Sequence, residues 1–178
     1  MVSIMTAQAL ARPASEQVWS WLDTVPDPEI PVISVVDLGI VRDVAWVDDA
    51  CVVTITPTYS GCPAMTMIRA GIEAALGARG VHKVQVQTRL APAWTTDWMT
   101  PRGKASLAGY GIAPPAQQVI DISGISRKAG GGPAALVVAC PHCGSHHTRL
   151  VSQFGSTACK ALYRCGDCKE PFDYFKAH

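Results

Sequence analysis

The chain has 178 residues, of which 48% are apolar and 16% charged, and its formal net charge is +1. This length suits one sizeable core with a small second module. The near-neutral charge, without a basic stripe, excludes the electrostatic pattern of a nucleic-acid-binding protein. No apolar run approaches the roughly 20 residues of a membrane-spanning helix, so we expect no nucleic acid and no membrane among its partners. The low charged fraction favours a surface that protein partners cover.

Cysteine usage and the first residues indicate the compartment. The chain has seven cysteines, an odd count that does not suit complete disulfide pairing. Residues 1–14 lack the basic segment followed by an apolar segment that is typical of a secretory signal. Because disulfide frameworks need an oxidising compartment, we expect a cytoplasmic protein with reduced thiols.

Periodicity predicts a helix and a hairpin at the start of the chain. Apolar residues recur at helical spacing at Val18, Trp21, Leu22 and Val25. Ser15 stands where an N-cap residue belongs. Residues 40–47 and 51–57 predict two strands that are joined by a turn at residues 48–49. Cys51 lies within the second strand and is expected in the core.

A second helix and a third strand follow. Pro63 suits the first position of a helix that we expect to reach Arg79. The apolar stripe of this helix comprises Met65, Ile68, Ile72 and Leu76. Residues 81–90 alternate, and their buried face is expected at Val84, Val86, Thr88 and Leu90. The order helix–strand–strand–helix–strand predicts an α/β domain, built as an α+β two-layer sandwich with its helices on one side of the sheet.

Two Cys-x-x-Cys pairs predict a metal site near the C-terminus. The four ligands are Cys140, Cys143, Cys165 and Cys168, and 21 residues separate the two pairs. Two such turns at this separation are typical of a four-cysteine zinc ribbon, a small β domain. Zinc is favoured as a structural ion, although four thiolates also suit iron.

Other metal-binding residue types near these cysteines are expected to lie off the metal. In an extended chain at roughly 3.3 Å per residue, Cys159 would be about 20 Å from Cys165. The histidines His142, His146 and His147 are expected to be exposed or to support the ligands.

Composition divides the chain into two domains. Glycine and small polar residues without apolar periodicity mark residues 123–135 as a linker. We therefore expect the α/β domain at residues 13–122 and the ribbon at residues 136–178. A module of about 40 residues depends on its metal for most of its stability.

Two segments of the first domain are not explained by packing. A proline-fixed acidic loop contains Asp27 and Glu29 and leads to Asp37. A second loop, residues 56–63, places Cys62 just ahead of the predicted helix. A helix N-terminus lowers a thiol pKa, whereas nearby carboxylates raise it. We expect the two effects to offset, so that Cys62 is alkylated slowly but binds metal; the alternative is a buried, inert thiol.

Three motifs then resemble a known family. The order found in the SufT/PaaD-type iron–sulfur assembly domain is reproduced by DPEIPVISVVDLGIV, TPTYSGCPA and LAPAWTTDWMTPRGKASLAGYGIAPP. These motifs cover most of residues 15–115. With the tail CPHCGSHHTRLVSQFGSTACKALYRCGDCKEPFDYF, the two-domain chain is similar to the family of D components of the bacterial ring-1,2-phenylacetyl-CoA epoxidase system.

The resemblance implies an accessory, non-catalytic role in aerobic phenylacetate degradation. The protein would assist iron–sulfur cluster maturation of a partner subunit. Its partners would be other epoxidase components, with the iron–sulfur flavoprotein reductase as the client. Transient iron or an iron–sulfur cluster is implied at Cys62, Asp27, Glu29 and Asp37, with Thr58 nearby. A homo-oligomer is left open.

The residues themselves leave two other functions open. One is a zinc-ribbon interaction module without metal transfer. The other is a thiol enzyme with Cys62 as nucleophile and Asp37 or Glu29 as base. The paired Glu-x-x-His motifs of a diiron site and the glycine-rich dinucleotide fingerprint are missing from the sequence. Metal or cluster handling is therefore the favoured interpretation.

Overall fold

The computed structural model describes residues 12–115 and 138–177 of the chain. These residues form the helices α1 (Ser15–Leu22), α2 (Met65–Gly77) and α3 (Pro101–Gly109). The strands are β1 (Val41–Val47), β2 (Ala50–Ile55), β3 (Val84–Thr88), β4 (Ile112–Ala113), β5 (Thr148–Ser152), β6 (Lys160–Cys165) and β7 (Pro171–Phe175). The predicted linker at residues 123–135 lies outside the described residues, so the domain boundaries stay a prediction.

The first sheet has the strand order β1–β2–β3. β1 and β2 form the predicted antiparallel hairpin, with Val44 opposite Val53. β3 pairs in parallel with β2, with Cys51 opposite Val84, because α2 carries the chain back along the sheet before β3 begins. Buried side chains of α1 and α2 enter one core with the sheet. The predicted mixed α+β fold and the order of these five elements are confirmed.

The first residues of α1 and α2 differ from the predictions. Ala14, not Ser15, occupies the N-cap position of α1, and it makes no side-chain capping bond. α2 begins at Met65 rather than at Pro63. The segment that contains Cys62 is therefore a loop followed by one irregular turn, and the thiol is further from the helix than expected.

The buried face of β3 is shorter than predicted. Val86 is buried, but Thr88 and Leu90 are exposed, Leu90 by 59%. β3 is an edge strand, and Arg69 of α2 reaches across its end. The Arg69 guanidinium donates hydrogen bonds to the Val86 carbonyl and to Thr88 Oγ1. A charged side chain thus stands where the alternation predicted apolar packing.

The second sheet contains strands from both described stretches of the chain, in the order β4–β7–β6–β5. β5, β6 and β7 belong to the C-terminal part, residues 138–177, which we call the ribbon. β4 directly follows α3 and pairs in parallel with β7, with Ile112 opposite Asp173 and Ala113 opposite Tyr174. The small ribbon core contains Val138, Tyr163, Phe172 and Tyr174.

Two side chains of the ribbon enter the core of the first part. Phe175 is 1% exposed, and its ring centroid lies 6.0 Å from that of Trp94. Cys159 is buried in the same cluster. Trp94 in turn donates its indole N–H to the Leu38 carbonyl at 3.0 Å. The ribbon therefore packs against the segment that continues from the acidic loop. None of the helices in the described residues is long and apolar enough to cross a membrane.

The backbone at Gly39, where the acidic segment ends, lies very close to the backbone of Trp98. Gly39 has φ +73°, and a Cβ at this position would lie 2.5 Å from the Trp98 carbonyl oxygen. Glycine is required here both by the left-handed backbone and by the missing space.

We expect Gly39→Ala to destabilise the protein more than Gly80→Ala does. Gly80 has φ +86° but no heavy atom within 4 Å of its Cβ position, so this control measures the backbone strain alone, about 1–2 kcal/mol. The clash at residue 39 should add about 1–3 kcal/mol. Urea unfolding of both variants measures the difference; equal losses would show that the segment relaxes freely.

Candidate functional site

The four predicted cysteine ligands converge at one end of the ribbon. Their sulfurs all lie within 4.8 Å of one another. A tetrahedral ion with Zn–S bonds of about 2.3 Å requires sulfurs about 3.8 Å apart. Cys140 and Cys168 have their sulfurs at 3.7 Å, and Cys143 and Cys165 at 3.6 Å. The donor set fits a structural metal ion such as zinc.

Backbone hydrogen bonds close the two turns that present these sulfurs. In the first turn, the Gly144 N–H donates to the Cys140 carbonyl at 2.8 Å. In the second, the Cys165 N–H donates to the Glu170 carbonyl at 3.0 Å. His147 and Ser145 both contact the carboxylate of Asp167, and so tie the two turns together.

The pKa values of the thiols reflect how closely the four sulfurs interact. Against the effect of burial, backbone N–H groups of Asp167 and Cys168 lower the pKa of Cys165 to about 6. In spite of a backbone N–H from Glu170, burial and the neighbouring sulfurs raise the pKa of Cys168 to about 12. Four sulfurs this close cannot all ionise without a positive ion among them, and a divalent cation removes that restriction.

Cys62, on the loop before α2, is half-buried. Burial raises its pKa, and the charges of Glu29, Asp27 and Cys159 raise it further. The Ala64 N–H acts in the opposite direction but does not prevail. The expected offset between helix and carboxylates is therefore not reached: burial is the largest effect and raises the pKa of Cys62, and α2 begins three residues beyond the thiol.

The acidic loop presents Asp27 and Glu29 toward this thiol. Asp27 is buried, and its Oδ1 accepts hydrogen bonds from the N–H groups of Glu29 at 2.9 Å and Ile30 at 2.8 Å. Burial nevertheless raises the pKa of Asp27. Burial and the charge of Asp27 raise the pKa of Glu29. Asp27 thus shapes the loop, and Glu29 is left as its less constrained carboxylate.

Sequence analysis missed a third group, which comes from the ribbon. Cys159 Sγ donates to Glu29 Oε2 at 4.0 Å and lies 3.0 Å from Thr157 Oγ1. The neighbouring Lys160 is 5% exposed and pairs with Asp173 at 3.1 Å. One signal was available in the sequence, because Cys159 is the ribbon cysteine that the two Cys-x-x-Cys pairs leave over.

Asp37 is engaged elsewhere, whereas Thr58 lies on the same loop as Cys62. The Asp37 carboxylate accepts from Thr100 Oγ1 and, at 2.8 Å, from Arg102 Nε. It is not among the charges that act on Cys62 or Cys159. Thr58 is buried and lines a cavity of about 420 Å³ with Tyr59 and Trp94. Asp37 therefore fastens the acidic segment to α3.

The described residues contain a single compact metal-ligand group. Across residues 12–115 and 138–177, only the four ribbon cysteines bring three or more Cys, His or acidic side chains close enough to hold an ion. Cys62, Asp27 and Glu29 share an electrostatic environment without converging to that degree.

Family models match both parts of the chain. Residues 15–87 match the model described as iron–sulfur cluster assembly protein, and residues 126–176 match the PaaD zinc beta ribbon domain.

Two curated proteins are similar in sequence. The chain is 50% identical over 167 residues to a protein of Escherichia coli (strain K12) that is named as the D component of 1,2-phenylacetyl-CoA epoxidase, and the match covers 94% of this chain and 95% of the relative. It is 36% identical over 87 residues to "Fe-S protein maturation auxiliary factor" of Porphyromonas gingivalis, covering 48% of this chain and 82% of the relative.

Solved structures are also similar over about half of the chain. A domain of unknown function from Bacillus anthracis is 27% identical with a TM-score of 0.48, covering 52% of this chain and 89% of that one. A conserved hypothetical protein from Thermotoga maritima is 32% identical with a TM-score of 0.46, covering 54% of this chain and 95% of that one.

We expect Cys140→Ser to lose the zinc ion, about one per chain in the wild type, because three thiolates hold it less tightly. The ribbon should then become sensitive to protease. The free energy of unfolding of the first part should fall by about 3 kcal/mol or more, because Phe175 leaves its core. Metal analysis and limited proteolysis measure both effects. Cys159→Ser is the matched control and should retain zinc; zinc loss in this variant would place Cys159 in the metal site.

We expect iodoacetamide to alkylate Cys62 slowly at pH 7. A raised pKa leaves little thiolate at neutral pH, so the rate should keep rising above about pH 8.5, where a free cysteine levels off. Glu29→Gln should move this rise to lower pH, because one charge that raises the pKa is gone. Glu16→Gln, which alters an exposed carboxylate on α1, is the control. Peptide mapping by mass spectrometry measures the rate; full reactivity at pH 7 would contradict the assignment.

Proposed function

The chain belongs to the family of the D component of 1,2-phenylacetyl-CoA epoxidase, and on that premise we propose that it is an accessory, non-catalytic component that assists iron–sulfur cluster maturation of a partner subunit. The partner is the iron–sulfur flavoprotein reductase of the epoxidase system. The match of residues 15–87 to the iron–sulfur cluster assembly model supports this role. The relative named as a maturation auxiliary factor also supports it.

One observation carries the proposal: Cys62 is half-buried on the loop before α2, where burial and the charges of Glu29 and Asp27 raise its pKa. A protonated thiol is a poor nucleophile. An approaching iron ion changes the balance, because a cation favours thiolate and turns the neighbouring carboxylates from a cost into an attraction. Cys62 can therefore bind iron although it reacts slowly with electrophiles.

The same raised pKa favours release of the cargo. A proton competes with the metal for the sulfur, and it competes better when the thiol pKa is high. Iron has to displace a proton at Cys62, and this competition weakens its binding at neutral pH relative to a site of several ionised thiols. We therefore expect iron to pass from Cys62 to a client site that offers several thiolates. The four-cysteine metal centre has a separate, structural task.

A docking role has its own support. The edge strand β5 and the loop after it expose Leu150, Val151 and Phe154, the last by 66%. An apolar edge of this kind is typical of a surface that pairs with another protein. An interaction module without metal transfer is therefore the second candidate.

We expect Cys62→Ser to abolish cluster loading of the reductase while the two proteins still bind each other. Loading is measured by iron and sulfide analysis and by the absorption of the cluster, and binding by calorimetry. Cys51→Ala is the matched control, because Cys51 is a buried core thiol whose pKa is raised by burial.

The alternatives give different results in the same experiment. Normal loading by Cys62→Ser would favour the interaction module. Loss of binding together with loading would indicate that Cys62 is needed for docking instead of cargo transfer. Consumption of a small electrophile that depends on Cys62 would favour a thiol enzyme.

A further inference from the structure

Cys159 lies at the meeting point of the two parts of the chain. It is 6% exposed and belongs to the core of the first part, whereas most buried residues of the ribbon form a core of their own. The β6 strand begins at the next residue, and the Lys176 N–H donates to the Cys159 carbonyl at 3.0 Å. Its position is therefore fixed by the ribbon sheet, while its thiol is directed at the acidic loop.

The thiols of Cys62 and Cys159 share their surroundings. The Glu29 carboxylate accepts a hydrogen bond from the Cys159 thiol at 4.0 Å. The charges of Glu29 and Asp27 add to the effect of burial and raise the pKa of both thiols. The charge of Cys159 also raises the pKa of Cys62. Burial raises the pKa of Tyr59, and the charges of Cys62, Glu29 and Cys159 raise it further. Two thiols and a carboxylate from three distant segments of the chain thus lie near enough to affect one another, and the contact of Cys159 with Glu29 joins two of them directly.

We propose that Cys159 is the second thiol ligand of the cargo site, so that a divalent cation such as Fe²⁺ is held by Cys62, Cys159 and Glu29. This inference rests on the proposed function of Cys62 in iron handling. Each thiol releases its proton to solvent when the ion binds, and the two thiolates neutralise the charge of the cation.

The geometry meets part of this requirement already. Ligand atoms that share an ion through bonds of about 2.0–2.3 Å lie roughly 3.3–3.8 Å apart. The Cys159 sulfur and the Glu29 oxygen, at 4.0 Å, are close to that separation. The three groups do not converge as tightly as the zinc ligands, so binding has to draw the loop of Cys62 toward Cys159.

A mixed set of two sulfurs and one oxygen suits transient binding. Thiolates select soft and borderline metals, and a carboxylate adds negative charge without adding a further soft ligand. The set is smaller than the four thiolates of the ribbon, so the ion should exchange at this site while zinc stays in the ribbon.

Co²⁺ titration of the full-length, zinc-loaded protein tests the inference, because thiolate ligands give Co²⁺ a sulfur-to-metal charge-transfer band. We expect the band of the wild type to fall to about half in Cys62→Ser and in Cys159→Ser. The double variant supplies the background of the ribbon, and Cys51→Ala should match the wild type. Zinc content is followed throughout, and Glu29→Gln should weaken Co²⁺ binding while the thiolate band persists at saturation.

The outcomes separate this inference from the proposed function. A band that is lost in Cys62→Ser but unchanged in Cys159→Ser would overturn the role of Cys159 and leave iron handling by Cys62 intact. A wild type without any band above the double variant would overturn both. Reduced bands in both single variants, with zinc retained, would establish the two-thiol site.

Discussion

Four sulfurs that must share one cation hold the C-terminal part of the chain in place. The ribbon core is small, and its strands are only five or six residues long, so the metal supplies stability that burial cannot. Everything the ribbon contributes elsewhere depends on that centre. Phe175 packs on Trp94, and Cys159 reaches Glu29, only while the ribbon sheet is formed. The structural ion is thus linked energetically to a chemical environment built from other residues.

That environment is a balance between protons and cations. Burial and carboxylate charge favour the neutral thiols, whereas a metal ion reverses the effect of the same carboxylates. The proposed site would react slowly with electrophiles when empty and would bind a cation that arrives. The buried pair of Lys160 and Asp173 adds a positive charge nearby, which acts against the effect of burial that raises the pKa of Cys159, Asp27 and Glu29. The arrangement suits a carrier better than a nucleophile.

Local patterns were sufficient for the five elements from α1 to β3 and for the spacing of the zinc ligands. They were not sufficient for features built over long separations. The contact of Cys159 with Glu29 spans 130 residues, and that of Arg102 with Asp37 spans 65. α3 buries only Gly103 and Leu107, so its sequence carries little apolar periodicity. The helix and the carboxylates were expected to offset at Cys62, but burial raises its pKa, and α2 begins two residues later than predicted.

The pairing of β4 with β7 has a consequence for how these domains can be separated. The matched zinc ribbon family begins at residue 126, yet the strand that covers one side of β7 lies at residues 112–113. A ribbon excised at the family boundary would present β7 as an uncovered edge, with unpaired N–H and carbonyl groups beside Tyr174. Such an edge invites strand addition by a second copy. The matched family and the folded unit therefore begin at different residues. Recombination between relatives should be tolerated only where β4 and β7 come from the same parent.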